Sequence, residues 1–235
     1  MAVRERKNAA EMTNGEWSSF IRAIDGTHGT GAARPTYREF VRVHVDAMTT
    51  AEGMAWGVHS MSQHNMVGRN FFAWHRLFLV RFENRLRQEE ADVTLPYWNW
   101  RDDPAPPAAV SRPRLLERWS VDRSFDEDFM PTSAELDAVM ERNRFKGFQY
   151  RLEMLHGSVH VAVGGTMETA SSPADPLFWL HHANIDRLWA RWQSQHRGQK
   201  PSNSDETLRP RPLFRKKVRE VLSIRNLGYR YAGPG

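Results

Sequence analysis

Four stretches of this chain place apolar side chains at helical spacing, and three of the four carry a histidine within the apolar stripe itself. Thr36-Tyr37-Arg38-Glu39 has the form of a capping box, and beyond it Phe40, Val43, His44 and Ala47 share one face. A second helix is expected from about residue 70 to 88, striped by Phe72, His75, Leu79, Phe82 and Leu86. A third runs from about 147 to 161, with Phe148, Leu152, Leu155 and Val159 apolar and with His156 and His160 one turn apart. The fourth opens at Asp175-Pro176, an N-cap acid followed by proline in the first turn. Its stripe is Phe178, His182, Ile185, Trp189 and Trp192.

Helices of this kind predict a mainly α fold, a four-helix bundle core with long loops and little β structure. Residues 101–131, rich in Pro, Asp and Arg, read as a surface excursion. Thr132-Ser133-Ala134-Glu135 caps a short helix to about Arg142, and the tail 218–231 has room for a short strand. No repeat or linker divides the chain, so 1–235 is expected to form one domain with its core at about 3–231.

Composition agrees with a packed core. Hydrophobic residues make up 40% of the 235, and nine are tryptophan. No apolar run is long enough to span a bilayer, and Met-Ala-Val-Arg-Glu-Arg-Lys lacks the apolar stretch of a secretory signal. The expected location is the cytoplasm, or outside after export with a partner's help. The net charge is +5, but the basic residues are interspersed with 28 acidic ones, so neither nucleic acid nor a membrane is an expected partner.

The absence of cysteine removes thiolate metal sites and thiol nucleophiles together. What remains is histidine: His44, His64 and His75 in the first half, and His156, His160 and His182 in the second. Two equal sets of neutral imidazoles suit a pair of redox-active metal ions rather than structural zinc. The ligand between His44 and His75 must come from residues 56–65, where both His59 and His64 stand; His64, nearer His75, is taken here. His182 shares the stripe of its helix, whereas His181 is turned about 100° away and is given a supporting role. A di-zinc hydrolase is disfavoured because neither set contains a carboxylate.

Longer motifs sharpen this. Phe71-Phe72-Ala73-Trp74-His75-Arg76, Leu95-Pro96-Tyr97-Trp98-Asn99-Trp100 and Asp175-Pro176-Leu177-Phe178-Trp179-Leu180-His181-His182 with Asp186 downstream resemble the signatures of the type-3 copper family. That family comprises tyrosinases, catechol oxidases and o-aminophenol oxidases, with haemocyanins as oxygen-carrying relatives. Arg6-Lys7-Asn8 and Tyr229-Arg230-Tyr231 resemble the segments that open and close its core. The resemblance implies two copper ions, one on His44, His64 and His75 and the other on His156, His160 and His182, with O2 as co-substrate. It implies oxidation of a small phenol or aminophenol to an o-quinone or quinone imine. It pairs Asp186 with an N-terminal arginine such as Arg6, and it admits a copper chaperone as partner, as in some bacterial members. A haemocyanin-like O2 carrier would use the same ligands; the oxidase is the expected reading.

The substrate class turns on the residue after His156. In members that hydroxylate monophenols this position is often asparagine, which with a nearby glutamate holds a water that takes the phenol proton. Here it is Gly157, with Glu153 one turn earlier. Catechols and o-aminophenols, which are easier to oxidise, are therefore the expected substrates, with true tyrosinase activity as the alternative. The loop after His160 is expected to shape the mouth through Glu168, Ser171 and Ser172, Glu168 offering a carboxylate to an amino-bearing substrate.

Overall fold

Capping chemistry sets where the helices begin. In the computed structural model, which describes residues 3–29, 33–60 and 68–233, three helices start at capping boxes. They are α1 (Asn14–His28) behind Thr13 and Glu16, α2 (Tyr37–Thr49) behind Thr36 and Glu39, and α6 (Ser133–Met140) behind Thr132 and Glu135. The remaining helices are α3 (Ala51–Ala55), α4 (Phe71–Leu86), α5 (Pro113–Trp119), α7 (Phe145–Val163) and α8 (Pro176–Gln195). At the start of α8 the Asp175 carboxylate accepts from the Leu177 N–H at 2.8 Å and is itself buried against Arg123.

The stripe expected for α2 is largely buried: Tyr37, Phe40, His44 and Ala47 face inward, with Val43 half-buried. Helices α4 and α8 are different, being enclosed on nearly every side. Stacked rings lock the bundle, Phe82 on Trp179 at 3.6 Å, Phe72 on Trp189 at 5.1 Å and Phe148 on Trp192 at 4.4 Å.

Two expectations change. The excursion at 101–131 returns to the core, because α5 buries Leu115 and Trp119, and Arg123 reaches the N-terminus of α8. Helix α1, with Trp17, Phe20, Ile24 and Thr27 inward, had not been expected, although Thr13 and Glu16 are its capping signal.

The expected tail strand is present. Strand β1 (Arg4–Arg6) pairs in parallel with β2 (Tyr229–Tyr231), with Arg4 opposite Tyr229 and Arg6 opposite Tyr231. Beneath the pair lies a charged network enclosed by protein. Asp186 accepts from Arg76 Nε at 2.5 Å and from the Tyr229 and Tyr231 hydroxyls, each at 2.6 Å. Arg6 lies 3.6 Å from Asp186 but gives its guanidinium N–H groups to Glu83, at 3.1 and 3.2 Å. The principal cation on Asp186 is therefore Arg76, one residue past His75, and Arg6 is secondary. No helix among the described residues is long and apolar enough to cross a membrane.

Candidate dicopper centre

Two groups of histidines meet between α2, α4, α7 and α8. In the first, His44, His59 and His75 bring one nitrogen each within 4.8 Å of one another. In the second, His156, His160, His181 and His182 do the same. The groups abut, with the His75 and His182 rings stacked at 4.2 Å.

Ring orientation is fixed from behind by backbone carbonyls. Nδ1 of His75 donates to Phe71 O at 2.8 Å, four residues earlier on α4. His44 Nδ1 donates to Ala170 O at 2.8 Å, His160 Nδ1 to Met167 O at 2.6 Å, and His156 Nδ1 faces Glu153 O at 3.3 Å. In each case the proton on Nδ1 leaves the Nε2 lone pair to point into the centre, as metal-binding imidazoles require. The loop after α7 is thus more than a connection, since its carbonyls orient one histidine from each group. Gly164 starts it at φ 65°, where a side chain would collide with Ser124.

These donors fit metal ions. His44 Nε2 and His75 Nε2 are buried and have no hydrogen-bond partner among the described residues. His182 Nε2 lies 3.2 Å from His156 Nε2 and 3.4 Å from His160 Nε2. Imidazole nitrogens about 2.0 Å from one tetrahedral ion stand roughly 3.3 Å apart, so His182 is spaced from both His156 and His160 as ligands of a single metal are. Burial, the largest influence, keeps every ring neutral: His44 and His160 titrate near pH 4, and His59, His75, His156, His181 and His182 well below the usual range. Neutral nitrogen donors without a carboxylate or thiolate suit copper in both oxidation states.

Five of the six expected ligands, His44, His75, His156, His160 and His182, come together here. The sixth, His64, lies outside the described residues, and His59, its alternative in the sequence, occupies the first group. His181 joins the second group, stacked on His156 at 5.2 Å. His28 and His196 stay apart, stacked on Tyr37 and Trp192.

A cavity of about 220 Å³ opens onto both groups, reaching His44, His59, His156 and His160. Gly157, Glu168 and Ser172 line it; Ser171 is not among its lining residues. A Cβ added at Gly157 would meet nothing within 4 Å. Glu153 is buried, which raises its carboxyl to about 7. Its side chain accepts from the Ser60 N–H at 2.5 Å and the Ser60 hydroxyl at 2.9 Å.

Such a fold and such paired donors define a type-3 dicopper protein. Residues 34–118 and 109–195 match the common central domain of tyrosinase. The chain belongs to the tyrosinase family. It is 34% identical to a tyrosinase of Streptomyces lincolnensis over 82% of this chain and 83% of that protein. Identity to a tyrosinase of Streptomyces antibioticus is 33%, covering 81% and 83%. In fold it is similar to a functional unit of octopus haemocyanin, with a TM-score of 0.76 and 22% identity over 98% of this chain and 68% of that one. The protein is a dicopper phenol oxidase, taking two copper ions with three histidines each and acting on small phenolic substrates.

Proposed function

We propose that this oxidase converts o-diphenols and o-aminophenols to o-quinones and quinone imines and assists monophenol hydroxylation poorly. The observation that carries this is Gly157, which lines the cavity beside His156 and leaves open space where a side-chain amide would stand. Glycine can neither orient a water nor accept a proton. Glu153 does not replace it, because it is not among the residues lining the cavity and its carboxylate is turned to Ser60. A catechol or o-aminophenol needs less help in losing its proton, so the cavity has only to admit and orient the ring. Copper held by these histidines would supply the redox chemistry, in which two substrate molecules give two electrons each and one O2 is reduced to two waters.

The reading takes 1–235 as one copper-binding domain and assigns His44, His75 and a histidine of the 56–65 segment to one ion. His156, His160 and His182 hold the other. Glu168 is exposed at the mouth and, among the described residues, is the one lining side chain besides the histidines able to carry charge. Its carboxylate favours amino-bearing rings. A Glu168→Gln variant with unchanged preference between amino-bearing and neutral catechols would remove that assignment.

The main test is O2 uptake by the copper-loaded protein with a monophenol, a catechol and an o-aminophenol, for the parent and for Gly157→Asn. Parent turnover of the last two alone, with monophenol activity rising at least about tenfold in the variant, is expected for a gained proton-transfer aid. The second reading, a true tyrosinase, is favoured by the names of the Streptomyces relatives. Lag-limited monophenol hydroxylation by the parent would establish it.

A further inference from the structure

The segment that carries His59 into the first histidine group belongs to no helix or strand, yet it is fastened to α7. Glu153, on the turn of α7 before His156, accepts from the Ser60 N–H at 2.5 Å and from the Ser60 hydroxyl at 2.9 Å. Ser60 Oγ in turn accepts from the Gly68 N–H at 3.0 Å, and the Gln149 amide, one turn further back on α7, donates to the Gly68 carbonyl. A Cβ at Gly68 would lie 2.7 Å from Glu153 Oε1 and 2.9 Å from Val58 O, so only glycine allows this approach. Two bonded residues on the segment side, Ser60 and Gly68, and two on the helix, Glu153 and Gln149, thus form one closed clasp. It touches both histidine groups: Ser60 follows His59 in the chain, and the Glu153 carbonyl faces His156 Nδ1 at 3.3 Å. Across the clasp the His59 and His156 rings lie nearly parallel, 6.3 Å apart.

We propose that Glu153 is a positioning residue that registers the first metal site against the second, its side chain holding the segment of His59 at a fixed distance from the helix of His156 and His160. The inference rests on the dicopper reading with His59 as a ligand. A carboxylate suits the task because two acceptor oxygens can capture an N–H and an O–H of one serine together. Burial strengthens both bonds by excluding competing water. Helix α7 is a rigid base, packed through Phe145 and Phe148 on Phe72, Trp189 and Trp192 and tied at its other end to Ser124 and Asp126, whereas a segment without regular structure gains its geometry only from such bonds.

The test withdraws copper from the loaded protein with graded amounts of a competing chelator and counts the copper kept per chain. Parent, Glu153→Ala, Glu153→Gln and Gly68→Ala are compared. In Glu153→Ala one copper should be held as in the parent and the other released about 10–100-fold more readily, the usual cost of losing a ligand's supporting partner. The half-loaded Cu(II) form of that variant should show the paramagnetic resonance of a single isolated ion. Glu153→Gln, which keeps an acceptor for the Ser60 N–H, should recover most of the affinity. Gly68→Ala should reproduce the loss from the segment side with α7 untouched. The proposal falls if Glu153→Ala holds both coppers as the parent does, whatever its melting temperature, or if glutamine gives no recovery. A parent that itself binds fewer than two coppers would overturn the dicopper reading instead.

Discussion

Replacing Asp186 with alanine is expected to cost about 3–5 kcal/mol of folding stability, the range for removing one partner of a buried ion pair. The reason is what stays behind. Arg76, with its side chain fully enclosed, loses the carboxylate on its Nε, and the Tyr229 and Tyr231 hydroxyls lose their shared acceptor. Arg76 retains bonds to the carbonyls of Val221 and Leu222, which satisfy donors but not charge. For a domain of this size the loss corresponds to a fall of roughly 6–20 °C in melting temperature. Asp186→Asn keeps the shape and one acceptor oxygen and should fall between parent and alanine. Thermal unfolding of the copper-free proteins measures both, and an alanine variant within about 1 kcal/mol of the parent would show that the guanidinium finds water or another partner.

Replacing His182 with alanine should lower bound copper from two ions per chain to about one and reduce catechol oxidation by more than about a hundredfold, beyond the cost of losing a mere supporting partner. His182 Nε2 lies 3.2 Å from His156 Nε2 and 3.4 Å from His160 Nε2, and its ring stacks on His75 of the other group. His181→Ala is the control, because that ring stacks on His156; an interchange of the two effects would make His181 the ligand. The same measurement separates the two candidates in the first group. His59→Ala should lose one copper while His64→Ala keeps two, and the reverse pattern would return the ligand role to His64.

Local rules carried much of the fold. Capping boxes at Thr36 and Thr132 and the Asp175-Pro176 start mark true helix N-termini, and the α2 stripe predicts its buried face. Periodicity was less informative for α4 and α8. In a helix enclosed on all sides, Arg76, Glu83 and Asp186 occupy positions that a surface stripe would give to solvent. Their partners lie far away in sequence, Glu83 meeting Arg6 at a separation of 77 residues and Asp186 meeting Tyr231 at 45. No spacing rule records such pairs. At the site, histidines on helices were legible because helix geometry fixes their direction. The choice between His59 and His64 was not, since no periodicity governs that segment. The carbonyls of Met167 and Ala170 were also hidden, because a backbone acceptor has no residue signature.

The pairing of β1 with β2 also sets an order of events during synthesis. Arg6 and the Tyr231 hydroxyl meet across 225 positions, so nothing can join them until Tyr231 itself has left the ribosome. Until then Asp186 lacks both tyrosine donors and Arg6 lacks the aromatic ring of Tyr229, 3.8 Å from its guanidinium. All the histidines that face the centre emerge well before that closure. A nascent chain can therefore present its metal donors while the seam beneath Asp186 is still open, with Tyr229 and Tyr231 closing it only afterwards.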